Sequence, residues 1–130
     1  MASNAFTAFA ASAVNDGSVT IAVDMDPAYE QEILPAANQL IKQFSEQGTK
    51  LQFVTLNPAA LSVTNQFAEK TPDAVNLGYI PGNAAAISLL KAANKQQPVL
   101  MVILSANFIT VQYWIEQMAV VFPETRIGVI

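Results

Sequence analysis

In the stretch TIAVDMDPAY, residues 20–29, a run of strand-forming residues ends in two carboxylates one residue apart, Asp24 and Asp26. Two chemistries use such a pair. Neighbouring carboxylates can hold a divalent cation through hard oxygen ligands. They can also divide the work of nucleophile and general acid–base in phosphoryl transfer. A third reading is architectural. Asp26 precedes Pro27, and an aspartate followed by proline is a common way to cap and start a helix. One helix needs one such cap, so Asp24 is left without a required structural task and is the better candidate for binding. The plain alternative for Asp24 is that it accepts hydrogen bonds from neighbouring loop amides, as a buried carboxylate must.

Composition removes many other chemistries. The 130 residues contain no Cys and no His, which excludes thiol nucleophiles, disulfides, Ser-His-Asp triads and Cys/His zinc sites. A metal here would need oxygen ligands, so Mg²⁺, Ca²⁺ or Mn²⁺. Six basic residues, Lys42, Lys50, Lys70, Lys91, Lys95 and Arg126, stand scattered against ten acidic ones. Nucleic acid is therefore not an expected partner, because its binding needs clustered positive charge. The chain is 52% hydrophobic and 12% charged, about half the usual charged fraction. With a mean hydropathy of +0.34, it is expected to hide surface against a protein partner, a further domain or a second copy of itself. The longest strictly apolar run, Val99–Leu104, is far short of the roughly 20 residues that span a bilayer. No signal peptide is visible, but a segment of a longer protein need not carry one.

The elements that must position Asp24 and Asp26 follow from periodicity. Phe6, Phe9, Ala10 and Val14 have helical spacing, so a short leading helix is expected, closed near Gly17. A strand over Val19–Asp24 follows. A helix from about Pro27 to Gln47 would bury Tyr29, Ile33, Ala36, Ala37, Leu40, Ile41 and Phe44, and Pro35 is expected to kink it. Next come a strand over Leu51–Leu56, a helix from Asn57-Pro58 to about Lys70, and a weak strand over Ala74–Tyr79. A helix over Ala84–Lys95, a very apolar strand over Val99–Leu104, a helix over Phe108–Phe122 and a strand over Arg126–Ile130 complete the chain.

Alternation of strand and helix implies a three-layer α/β/α, Rossmann-like domain over residues 1–130 with a mostly parallel five-stranded sheet. The first and fourth strands are nearly all apolar and belong in the middle. Asn76 and Gly78 mark the third as an edge. The expected order is 3-2-1-4-5, with 2-1-3-4-5 as the alternative. In such sheets ligands bind beyond the carboxyl ends of the strands, where strand order reverses. The loops DMDP, LNP, YIPGN and LSAN face that crevice. Asp26 and Asn57 each precede a proline, and Ser105 or Asn107 can cap the helix over 108–122, so all of these residues have a helix-starting role available. In YIPGNAAA, Gly82 and the alanines either admit an anion to a helix N-terminus or allow a tight turn and close packing. Neither a P-loop nor a GxGxxG fingerprint is present.

The strand–Asp-x-Asp–helix pattern resembles the first motif of haloacid-dehalogenase-type phosphatases. By that resemblance Asp24 would attack phosphorus and Asp26 would act as general acid and base, with Mg²⁺ as cofactor. Thr55 or Ser105 would supply the strand-ending hydroxyl, and Lys70 or Lys91 the lysine. The pattern departs at the further acidic pair, since no acid follows the fourth strand until Glu116, deep inside a helix.

Three longer stretches, VDMDPAYEQEILPAA, VNLGYIPGNAAA and YWIEQM, are together similar to an uncharacterised bacterial family. The matching positions are Asp24, Asp26 and Pro27; Asn76, Leu77, Gly78, Tyr79, Pro81 and Gly82; and Trp114, Glu116 and Gln117. Met25 stands where an aromatic is usual, and Asn83-Ala84 where glycine-rich residues are. The resemblance implies an extracytoplasmic domain of a parent protein anchored by membrane helices outside this segment, and supplies no activity.

The leading expectation is a non-catalytic domain that binds a small molecule or protein partner, without a cofactor, through Asp24, Asp26, Tyr79, Gly82 and Asn107. One alternative is a divalent-metal phosphohydrolase using Asp24 and Asp26. The other is an assembly module, a homo-oligomer or larger complex, contacting its partner through Tyr113 and Trp114 on the helix over 108–122, whose apolar residues occupy more than one face.

Overall fold

The structure is a computed structural model that describes residues 18–26, 31–80, 100–105 and 107–130. Within these, β1 (Val19–Val23) leads to α1 (Ile33–Glu46), then β2 (Leu51–Thr55), a 3₁₀ turn at Pro58–Ala60, α2 (Leu61–Lys70) and β3 (Val75–Tyr79). After these come β4 (Leu100–Leu104), α3 (Phe108–Val121) and β5 (Arg126–Val129). The expected leading helix, residues 27–30 at the start of the next expected helix, the helix over Ala84–Lys95 and residues 81–83 of the IPGN loop, with Gly82, lie outside the described residues.

The five strands form one sheet in the order β3-β2-β1-β4-β5, and all its pairs are parallel. Every residue of β1, β2 and β4 is buried, as interior strands of a sheet covered on both faces must be. Alternation sends Val19, Ile21 and Val23 of β1 to one face, with Phe53, Val102, the α1 stripe and Phe67 of α2. Ala22, Val54, Met101 and Ile103 face the other way, against Val111, Trp114 and Met118 of α3. The layers are thus α/β/α, with α1 and α2 on one side and α3 on the other. No described helix is long and apolar enough to cross a membrane.

Two local features depart from expectation. Helix α1 begins at Ile33, with Glu32 at its N-cap and no side-chain cap, so Asp26 does not cap it. The cause is Pro35. In a helix begun at Pro27, Pro35 would lack its bond to the Gln31 carbonyl and its ring would clash there. In the first turn of α1 its missing N–H has no intrahelical partner to lose, so the proline sets the start of the helix rather than kinking its middle.

Strand β3 also carries a bulge. Asn76 stands opposite Phe53 and Tyr79 opposite Thr55, so two residues face one. Gly78 takes φ +77° at this point, a conformation that suits glycine. The Asn76 Oδ1 accepts the Gly78 N–H at 3.0 Å, and its Nδ2 donates to Asn65 Oδ1 on α2 at 3.2 Å.

Candidate functional site

The parallel ladder holds β1 between its neighbours for one residue beyond the strand. The Leu56 N–H donates to the Val23 carbonyl at 2.8 Å, and the Asp24 N–H to the Leu104 carbonyl at 3.0 Å. Beyond this line the chains part: β2 leads to α2 on one face, and β4 leads to α3 on the other. Asp24 therefore stands at the reversal of strand order, where an open α/β sheet has its crevice.

A polar network converges on it. Ser105, which follows β4, donates its hydroxyl to Asp24 Oδ2 at 2.6 Å and accepts the Asn107 N–H at 3.0 Å. Asn57, which follows β2, donates from Nδ2 to the Asp24 carbonyl oxygen at 3.2 Å, while its Oδ1 accepts the Ala59 N–H at 3.0 Å. One aspartate thus joins the ends of β1, β2 and β4. Its carboxylate is half-buried, while Ser105 is nearly closed off at 6% exposure. A fixed, partly desolvated carboxylate can accept hydrogen bonds from hydroxyl or amine groups, or neutralise a cation, without a large ordering cost.

The other expected residues are distributed unevenly. Asp26 is half-buried and separated from Asp24 by Met25, whose side chain is fully buried in the core under α1. Tyr79 ends β3 on the same edge of the sheet and is 44% exposed. Two strand spacings put it about 10 Å to the side of β1, a place on the rim. Asn107 caps α3, its Oδ1 accepting the Ile109 and Thr110 N–H groups at 3.0 and 3.3 Å. Gly82 lies outside the described residues. Thr55 is fully buried and donates to Thr64 Oγ1 at 2.7 Å, which in turn donates to the Ala60 carbonyl. Of the two strand-ending hydroxyls, Ser105 is therefore the one hydrogen-bonded to Asp24. Among the described residues, no group of three or more Asp, Glu, His or Cys side chains is placed to hold a metal ion.

Trp114 is corrected from contact residue to core residue. Its ring is 2% exposed among Ala22, Val54, Met101 and Met118, with Tyr113 edge-on to it at 5.7 Å. A β–α unit turns its largest apolar side chain to the sheet, and here that leaves Tyr113 half-buried at the margin.

Sequence reasoning offered Ser105 and Asn57 as helix starts, and Ser105 also as one of two strand-ending hydroxyls by resemblance, but did not foresee their bonds to Asp24. A signal was present: Asp24, Asn57 and Ser105 are each within two residues of an interior strand's end. No protein-family model, curated protein or solved structure matches the chain.

Proposed function

We propose that this is a binding domain whose ligand is received over Asp24, at the carboxyl edge of the sheet between β1 and β4. The ligand is a small molecule or an exposed protein segment that presents hydroxyl or amine donors. The observation that carries the reading is the Ser105–Asp24 hydrogen bond at 2.6 Å, which orients a carboxylate at the place where this sheet topology forms a crevice. Asp26 and Tyr79 would serve as flanking contacts. Thermal melting of wild type and Asp24→Asn with a panel of sugars, polyols, amino alcohols and guanidines tests it, since a ligand of the native state raises the melting temperature. At least one compound should stabilise the wild type and not the variant. Compounds that stabilise both equally would contradict the reading.

A second reading, a divalent-metal phosphohydrolase, draws on the same bond, because a strand-ending hydroxyl beside the first aspartate belongs to that pattern. Titration with Mg²⁺, Mn²⁺ and Ca²⁺ separates the two. A rise in melting temperature abolished by Asp24→Asn favours the hydrolase, and no rise with any of the three removes it.

The proposed setting is a membrane-anchored bacterial parent protein, supported by the motifs around Asp24, Gly78 and Trp114. The parent gene's reading frame tests this, through the presence or absence of apolar spans beside this segment.

A further inference from the structure

The outer face of α3 is unusually apolar. Phe108, Ile109 and Val120 are 77%, 79% and 81% exposed, and Ile115 is 37% exposed. The exposed parts of these four side chains amount to about 500 Å², near the upper end of the patches that ordinary monomers leave open. With the exposed Gln112, Glu116 and Ala119 between them, the face approaches the ~800 Å² per partner of a stable interface.

The order of residues along this face points to what covers it. Ile109, Gln112, Glu116 and Ala119 form its central row, with spacings of three, four and three. Its spacings, though not its residues, are symmetric about position 114, so reversal sets Gln112 opposite Glu116, while Trp114 itself points into the core. We propose that α3 pairs with α3 of a second copy of this chain, antiparallel, about a two-fold axis level with residue 114.

In that register Ile109 of one protomer meets Ala119 of the other, a large side chain on a small one, and does so twice by symmetry. Phe108 extends over the same Ala119, and Val120 over Ile109. Gln112 meets Glu116. Within one chain Gln112 Nε2 already donates to Glu116 Oε1 at 3.2 Å, so the amide is suited to bridging to the second carboxylate. Glu116 is the one formally charged side chain among the described residues of this face. A parallel pairing would set the two Glu116 carboxylates against each other; the antiparallel one sets each against an amide and opposes the helix dipoles. The pairing leaves the carboxyl edge of the sheet open, so it stands independently of the ligand proposal.

Sedimentation of the full chain from micromolar to millimolar concentration should show a monomer–dimer equilibrium. Ile109→Glu should raise the dissociation constant at least tenfold, with circular dichroism unchanged and the melting temperature unchanged at concentrations where both chains are monomeric. Because the chain has no cysteine, single cysteines can read the register. When Ile109→Cys and Ala119→Cys chains are mixed and oxidised, 109–119 disulfides should exceed 109–109 and 119–119 disulfides several-fold. A strict monomer throughout, expected if a different protein or another segment of the parent covers the face, overturns the proposal. So does a dimer indifferent to Ile109→Glu, or a predominance of 109–109 disulfides.

Discussion

Ser105 acts in two directions. Its hydroxyl hydrogen goes to Asp24 and its lone pair receives the Asn107 N–H, so one side chain both orients the candidate binding group and fixes the start of α3. Ser105→Ala should therefore cost about 1.5 kcal/mol in urea unfolding, the value of a hydrogen bond to a carboxylate in a nearly closed site. It should also reduce the response of the melting temperature to any compound that acts through Asp24. A loss of stability with an undiminished ligand response would assign Ser105 to architecture alone. The place of Asp24 at the end of an interior strand is legible in the sequence, because the apolar run before it has to lie inside the sheet. Its partnership with Ser105 is not. The two residues are 81 positions apart, and they meet only because Val23 and Leu104 pair in register. Nothing local to either residue encodes that register.

At the scale of elements, prolines and glycines decide more than propensity does. Pro35 sits in the first turn of α1, where it costs the helix no hydrogen bond. Pro35→Ala should therefore leave stability unchanged or lower it by up to about 1 kcal/mol, because alanine frees the unfolded chain. A gain of about 3 kcal/mol, as expected on relieving a proline in a helix interior, would contradict this account. Gly78 gives a complementary case. A Cβ there would meet nothing within 4 Å, so Gly78→Ala should cost about 1–2 kcal/mol through its positive φ alone. Chemical denaturation measures both. Asn76 and Gly78 do reveal β3 as an edge strand from sequence, since neither favours a strand interior. The bulge they build escapes sequence reading, because it exists only relative to the pairing of β2. The helix expected over Phe108–Phe122 ends one residue earlier, at Val121, and Asn107, one of its two expected caps, caps it. Its faces are harder to assign, because apolar residues lie all round it and no amphipathic stripe separates core from surface.

The whole molecule follows from where its most apolar strands must go. Strands β1 and β4 can be satisfied only inside a sheet covered on both faces, and right-handed crossovers then leave few orders. That is why the order 3-2-1-4-5 is legible without coordinates. The core between the sheet and α3 depends on Trp114, and Trp114→Ala should cost about 3–5 kcal/mol of unfolding free energy. Its effect on assembly should come through that loss of fold, in contrast to the exposed Ile109. The central claim is that the half-buried Asp24 carboxylate receives ligands at the β1–β4 divide. Two-dimensional ¹H–¹⁵N NMR of the labelled chain, titrated with the sugars, polyols, amino alcohols and guanidines of the melting panel, tests it most directly. The account predicts that binding compounds shift the amides of Asp24, Leu56, Ser105 and Asn107 together, and that Asp24→Asn abolishes those shifts. Binding compounds that perturb other surfaces and leave these four amides unmoved would contradict it.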